Sequence, residues 1–288
     1  MASLPPPVPT SGRLSASLFV KTDLSGCFCK ASARSAVVGL TAGGCGGILA
    51  FAMALYLSSI DLVVSAAFTV VVAGQWLSRR RTHSLLWSWA LLVWTVAVAA
   101  EMAAALHGAW TPITYRIYYA FGALMVAAWL GAGSLHLSAG PRLARSLSWI
   151  VAVLSVVGGV LILTSPIDPA LLGHTDSLGF VDVKVFPFIP VRLFVVLGNI
   201  LGSLAFIGAA LVSIWRFRRR QDVPPARVTG VALIAVGGLI AALAHSLGAL
   251  GGPGLFRVSE LAAIILIFSG YLLSTRRVTA AARAPATV

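Results

Sequence analysis

Long apolar runs, separated by short clusters of arginine, organise most of this sequence and exclude an ordinary water-soluble fold. Between residues 58 and 275 each run is about 18–27 residues long. At about 1.5 Å per residue, that length matches the roughly 30 Å hydrocarbon core of a bilayer. Only 10% of the residues are charged, whereas soluble domains carry about 25%. Because a bilayer offers no water to the backbone, the runs must form helices.

The runs predict an all-α, polytopic membrane bundle of seven spans in residues 58–275. Residues 36–78 leave two interpretations open. In one, a single span follows a poorly packed apolar lead at 35–57; in the other, a tight turn at Ser58–Asp61 joins an eighth span at 36–56 to the bundle. We prefer seven spans and keep the eighth as the alternative. The predicted spans lie near residues 58–78, 84–106, 114–138, 147–165, 189–215, 228–250 and 254–275.

The two ends of the chain differ in composition from the spans. Residues 1–34 are rich in Ser and Pro and predict a disordered tail. Met53 is an alternative start of the protein. Residues 276–288 are expected to form a short cytoplasmic tail.

The distribution of Lys and Arg predicts the orientation in a bacterial inner membrane. Thirteen basic residues lie on the side that includes the C-terminus, and four lie on the other side. The positive-inside rule therefore places the C-terminus in the cytoplasm. The formal net charge of +13 does not indicate nucleic-acid binding, because the charges form separate short clusters rather than one basic face.

Similar patterns recur about 139 residues apart and suggest an internal repeat. The pattern Trp-x-x-Arg-Arg-Arg occurs at 76–81 and again at 215–220. His107 and His245, 138 residues apart, both lie near the outer end of the following span. Spans 1–3 and 5–7 would then be parallel copies joined by span 4, a 3+1+3 arrangement. Basic inner ends with interfacial Trp are also common on unrelated spans.

Ionisable residues gather near the predicted outer ends of the spans. Glu101 lies near the outer end of span 2, roughly 8 Å below the membrane surface. Trp87, Trp94 and Glu101 recur every seven residues, which places them on one helix face. An ionisable group inside a span costs a few kcal/mol and usually faces a partner in the bundle. We therefore expect one outer cluster. Its members are Glu101, His107, Arg116, Arg192, His245, Arg257 and Glu260.

The charges in this cluster suggest an outward-facing pocket for a small anion. Three arginines against two glutamates leave an excess of positive charge, and arginine binds carboxylates through two hydrogen bonds. Tyr115, Tyr119 and Asn199 complete the predicted ligand-binding set. The alternatives are snorkelling arginines, an aromatic belt that includes Tyr115 and Tyr119, and purely structural ion pairs.

No enzymatic activity or cofactor is predicted. No nucleophile–base pair is evident. The three lysines, Lys21, Lys30 and Lys184, all lie outside the spans, which excludes a retinal Schiff base of the microbial rhodopsin type. His107, His245, Glu101 and Glu260 could supply zinc ligands but contain no close i, i+4 pair, so no metal site is predicted.

Residues 76–137 resemble two groups of membrane proteins. The motif Tyr-Arg-x-Tyr-Tyr-x-Phe-Gly-Ala at 115–123 is similar to that of uncharacterised seven-span proteins of actinobacterial type. A basic first inner loop, Trp in span 2 and Glu101 near its outer end resemble, more distantly, the seven-span sensing region of bacterial histidine kinases. The likeness covers roughly residues 58–275, and the chain continues for 13 residues after Thr275.

Three hypotheses of function follow. The first is an inner-membrane protein that senses a small anionic ligand at its outer face and signals through a separate partner. The alternatives are a small-solute transporter of the 3+1+3 type and a structural membrane protein without a ligand. In each case the lipid bilayer is the expected surrounding.

Overall fold

The computed structural model describes residues 43–172, 185–220, 222–251 and 253–275. Every regular element in these ranges is helical, and seven helices are long and apolar enough to cross a membrane. The predicted all-α bundle of seven spans is therefore confirmed. The seven helices are α1 Gly43–Arg79, α2 Thr82–His107, α3 Pro112–Ser138, α4 Pro141–Thr164, α5 Phe188–Arg218, α6 Pro225–Gly251 and α7 Pro253–Thr275.

The predicted boundaries agree with the observed ones at most helix ends. Apart from the N-terminal extension of α1, which begins at Gly43 rather than near residue 58, the largest difference is at α4, which begins at Pro141 rather than near residue 147. Proline is favoured in the first turn of a helix, since the missing N–H has no partner there in any case. A short helix, Pro169–Leu172, follows α4. Residues 173–184 and the predicted tails at 1–34 and 276–288 lie outside the described residues.

Helix α1 corrects the alternative of a turn at Ser58–Asp61. The helix runs without a break for 37 residues, and its window from Leu55 to Arg79 is the part that could span a membrane. The hydroxyl of Ser59 donates to the carbonyl of Leu55 at 2.6 Å, one turn earlier. A serine hydroxyl can bond back to the helix in this way without ending it. Residues 43–54 therefore extend the first spanning helix, and no turn separates them from it.

Six helices form a ring, and α4 lies outside it. Around the ring, α1 packs on α2, α2 on α3, α3 on α5, α5 on α6, α6 on α7 and α7 on α1, while α4 packs mainly on α3 and α5. Each contact in the α1–α3 triplet has a counterpart in the α5–α7 triplet. Two parallel copies joined by α4 would give this pattern. The repeat itself stays a prediction.

The helix ends define two ends of the bundle. We call the end that carries Arg79, Arg142, Arg218 and Arg227 the basic end, and the opposite one, with the C-terminus of α2 and the N-terminus of α7, the far end. Near the basic end, aromatic rings of both triplets meet in the core, where Trp87 of α2 lies 5.7 Å from Phe206 of α5, centroid to centroid. The site residues discussed below divide between the two ends.

Candidate functional site

Four ionisable residues, three of them buried and one half-buried, form an ionic cluster between α1, α2 and α7. The cluster consists of Asp61, Glu101, Arg257 and Glu260. Only 3–4% of the first three residues is exposed, and 20% of the Glu260 side chain. The cluster therefore lies inside the bundle, although it is made of the residue types most costly to place there.

Arg257 is the centre of this ionic cluster. Its Nη1 atom is in direct contact with Oε1 of Glu101 on α2 and lies 3.8 Å from Oε2 of Glu260 on its own helix. Asp61 of α1 interacts electrostatically with both Arg257 and Glu260. Asp61 and Glu101 belong to the first triplet, whereas Arg257 and Glu260 belong to the second. The ionic cluster thus ties the two triplets together.

Helical periodicity explains how the sequence directs these groups inward. Trp87, Trp94 and Glu101 are all buried, as the seven-residue spacing predicted. Arg257 and Glu260 are three residues apart and so share a face of α7. The prediction that Glu101, Arg257 and Glu260 meet is correct.

Arg116 and Arg192 do not join the ionic cluster, which corrects the predicted convergence. Arg116 donates to the backbone carbonyls of Ile162 and of Ser165, the latter at 2.8 Å, at the end of α4. The last carbonyls of a helix have no partner within it, so Arg116 caps α4. The guanidinium of Arg192 lies 5.5 Å from the ring of Phe188 and interacts electrostatically with Tyr119.

The tyrosines of α3 pack inside the protein rather than in a belt facing lipid. Tyr115 is 1% exposed and Tyr119 is 5% exposed. Their rings lie 5.5 and 5.0 Å from the ring of Phe186, which precedes α5. The aromatic-belt alternative is therefore wrong for these two residues. They belong to a second core at the far end, which closes the bundle between α3 and the start of α5.

The side chain of Asn199 donates a hydrogen bond to the backbone of α3. Its Nδ2 atom donates to the carbonyl of Ala123 at 2.5 Å, within the π-helical segment Tyr119–Met125. A π-helical turn displaces the regular i to i−4 bonds, so a side-chain donor here replaces part of the lost pairing. Asn199 is thus engaged and does not face the ionic cluster as a free ligand group.

The described residues do not show whether the two histidines of the predicted site, His107 and His245, lie close together. His107 lies in the last turn of α2 and is exposed, and Gly108 ends the helix with a φ of +71°. His245 is on α6, but its side chain lies outside the described residues. A joint role for the two histidines stays a prediction.

The charge balance of the ionic cluster is opposite to the predicted one. With Arg116 and Arg192 engaged elsewhere, three carboxyl groups surround one guanidinium in the described part of the bundle. The ionic cluster therefore has an excess of acidic groups among the described residues, and these residues do not form the predicted anion pocket.

A cavity of about 930 Å³ opens instead at the basic end. All six helices of the ring line it, and no residue of α4 is among the described lining residues. Its rim carries the exposed residues Arg79, Arg81 and Arg227, and its inner wall includes the buried rings of Trp87 and Tyr271. The cavity is thus accessible from the basic end and ends on aromatic side chains inside the bundle.

The polar groups of the cavity wall are already held in fixed positions. Trp87 Nε1 donates to the hydroxyl of Ser134 at 3.2 Å, and the hydroxyl of Tyr271 donates to the amide oxygen of Gln75. Tyr271 and Gln75 come from different triplets. The described lining contains several further hydroxyl groups and His83 but no Asp or Glu. This wall suits a small polar or anionic solute.

Asp61 and this cavity were both missed by sequence reasoning. For Asp61 a signal was present, because the buried polar residues Ser58, Asp61 and Ser65 continue into buried Phe68 and Val72 at helical spacing. The cavity left no such signal, since it depends on how the helices diverge at the basic end.

Comparison with protein-family models gives no match to this chain, and comparison with curated proteins gives none either.

Proposed function

We propose that the protein is a carrier that moves a small organic anion across the membrane. The cavity at the basic end would be its substrate site. The observation that supports this proposal most is the placement of the cavity at the centre of a ring of two triplets, with a wall from all six of their helices. Carriers built from repeats bind substrate at the repeat interface.

The wall chemistry favours an anion over a cation. Arg79, Arg81 and Arg227 stand at the rim, and the described lining has no carboxylate to oppose them. Deeper in the cavity, amide and hydroxyl groups offer hydrogen bonds to a carboxylate or to a substrate hydroxyl. By the positive-inside rule the basic end faces the cytoplasm, so the described state is open inward.

Closure of the far end also supports a carrier. The ionic cluster and the packing of Tyr115 and Tyr119 on Phe186 occupy that end. A cavity open on one side and contacts that close the other side are what alternating access requires of one state. A receptor for an external ligand would instead need access from the far end.

Flux into proteoliposomes tests the proposal. The protein is reconstituted and supplied with radiolabelled acetate, lactate or succinate, and uptake is compared with that of protein-free vesicles. Ala210 lines the cavity, whereas the next residue, Leu211, is 56% exposed and is absent from the described lining. Ala210→Phe should abolish uptake by filling the cavity, and Leu211→Phe should leave it unchanged.

Two outcomes would overturn the carrier. If the Ala210→Phe and Leu211→Phe variants take up the anion at the same rate, the cavity is not on the substrate path. Saturable binding of an anion without any flux would favour the sensing hypothesis instead. Circular dichroism and gel filtration of both variants verify that the added ring leaves the bundle folded.

A further inference from the structure

The ionic cluster holds more negative than positive groups. Asp61, Glu101 and Glu260 are within contact or electrostatic range of Arg257. If all four were ionised, the cluster would carry a net charge of about −2 inside the bundle, counted over its four residues alone. Buried charges persist only when they are paired, so at least one further positive charge is needed near these carboxyl groups.

Asp61 identifies where this charge is missing. Asp61 is 4% exposed, and its Oδ1 atom has no hydrogen-bond partner among the described residues. Glu101 is neutralised by direct contact with Arg257, and Glu260 is at 3.8 Å from the same group. Asp61 and Glu260 therefore both depend on Arg257, whose guanidinium is already in direct contact with Glu101.

The surroundings favour a proton over a metal ion. No group of three or more His, Cys, Asp or Glu side chains in the described ranges is arranged to hold a metal ion. The hydroxyl oxygen of Ser58, three residues before Asp61 on the same face of α1, is also buried and without a hydrogen-bond partner among these residues. An O–H on Asp61 would thus have a buried acceptor within one helical turn.

The titratable and charged groups around the pair come from several helices. Glu101 approaches from α2 and Arg257 from α7, and Tyr118 of α3 interacts electrostatically with Glu260. The side chain of His245 on α6 lies outside the described residues. Only Arg257 among the described groups in this set is permanently positive.

We infer that the carboxyl groups of Asp61 and Glu260 form a site that binds one proton reversibly, and that this proton is the ion coupled to transport. The inference that the site is a coupling site rests on the proposed carrier; the binding of a proton does not. Proton binding forms an O–H bond on one carboxylate oxygen and consumes one H⁺ from water. Release returns that H⁺ to water, and no other bond changes.

The position of the site gives the proton an effect on the far end. Asp61 lies on the first triplet and Glu260 on the second, beside the Glu101–Arg257 contact that also joins the triplets. Without the proton, the two carboxylates repel each other across this interface and attract water. With the proton bound, the interface is closer to neutral and can stay dry. An anion moving with this proton would carry less net charge across the membrane.

Reaction with dicyclohexylcarbodiimide tests the site directly. This apolar reagent modifies protonated carboxyl groups in apolar surroundings, and mass spectrometry of the full-length protein in detergent locates the adduct. The expected result is an adduct on Asp61 or Glu260 at pH 6.5. The adduct should fall at least about tenfold as the pH is raised and the site loses its proton. The exposed Asp222 is the internal control and should stay unmodified.

Sodium chloride distinguishes the proton from a metal cation. Adduct formation at constant pH should be the same with and without sodium chloride at about the 0.1 M of ordinary buffers, since sodium is not the bound species. Suppression by sodium, or no adduct on either residue at any pH between about 6 and 9, would overturn the inference.

The coupling is tested separately from the carrier. In vesicles that contain a pH-sensitive dye, the anion that shows uptake should acidify the lumen of wild-type vesicles. Asp61→Asn should abolish this acidification, and Asp222→Asn should not. Uptake without acidification would leave the carrier standing and overturn the coupling. An adduct on Asp61 without any anion uptake would leave the proton site standing and overturn the carrier.

Should Asp61→Asn fail to fold, Glu260→Gln provides the second variant, since this residue is less buried. The dicyclohexylcarbodiimide reaction is carried out on the wild-type protein, so it tests whether the site binds a proton even if both variants fail to fold.

Discussion

The contact between Glu101 and Arg257 should contribute strongly to stability. Both side chains are nearly fully buried, at 3% and 4% exposure, and they are in direct contact. Replacing one partner of a buried ion pair leaves the other charged and unpaired, which typically costs about 3–5 kcal/mol. Arg257→Leu has a further consequence here, because Asp61 and Glu260 lose the same positive neighbour. We therefore expect a destabilisation at the upper part of this range.

Thermal unfolding in detergent, followed by tryptophan fluorescence, measures this loss. For a chain of this size, about 1 kcal/mol corresponds to a shift of about 2–4 °C in Tm. Arg257→Leu should thus lower Tm by about 8–20 °C. Arg142 is exposed at the start of α4, so Arg142→Leu should change stability by less than about 0.5 kcal/mol.

A double-mutant cycle distinguishes the ion pair from general damage to packing. Adding Glu101→Gln to Arg257→Leu removes the unpaired charge, so the double variant should recover roughly 1–3 kcal/mol relative to the sum of the single effects. Strictly additive losses would refute the pairing. So would a Tm for Arg257→Leu equal to that of Arg142→Leu.

Two further predictions concern the helix contacts around the site. A Cβ atom on Gly202 would lie 2.4 Å from the carbonyl carbon of Ala127 on α3, so Gly202→Val should cost about 1–3 kcal/mol or more in detergent melts. Gly208→Val on the same helix has nothing within 4 Å of the new atom and should cost less; equal losses would contradict the close packing. Arg116→Gln should cost about 1.5–3 kcal/mol by freeing the carbonyls at the end of α4. It should also speed amide exchange in the last turn of α4, and an unchanged exchange rate there would show that Arg116 does not cap this helix.

The spans and one part of the site could be predicted because simple periods and lengths determine them. Hydrocarbon thickness sets the length of a span, and the predicted starts lie two to six residues inside the helices that begin at Pro112, Pro141 and Pro225. The seven-residue spacing of Trp87, Trp94 and Glu101 correctly placed all three inside the bundle.

The rest of the site depends on tertiary geometry that helical periodicity does not contain. Arg116, Arg192 and Arg257 all lie near the start of a helix at the far end, and nothing local distinguishes them. Arg257 turns inward to Glu101, whereas Arg116 reaches the carbonyls that α4 leaves open. Because the partner of Arg116 is backbone, its choice of partner could not be inferred from charge pairing between side chains.

The misplaced arginines also changed the predicted chemistry of the far end. Counting Arg116 and Arg192 in the cluster gave an excess of positive charge and hence an anion pocket. Removing them and adding Asp61 reverses the sign, while the basic rim of the cavity lies at the other end of the bundle. Among the described residues, only the cavity therefore has the charge to bind the predicted anionic ligand, whereas the charge of the ionic cluster favours a cation.

The contacts between the two triplets differ in a way that bears on how the proposed carrier would open. On one side, α3 and α5 approach so closely that a Cβ on Gly131 would lie 2.5 Å from the carbonyl oxygen of Gly202. On the other side, the first triplet meets α7 through two polar contacts, Glu101 with Arg257 and Gln75 with Tyr271, and through the ring of Phe68, which stacks on that of Phe268 at 4.7 Å. Water can replace a polar contact when it enters, but it cannot replace close backbone packing without loss of dispersion energy. The α3–α5 contact is thus suited to act as the pivot, and the interface with α7 is the one that a change in charge at Asp61 and Glu260 would open.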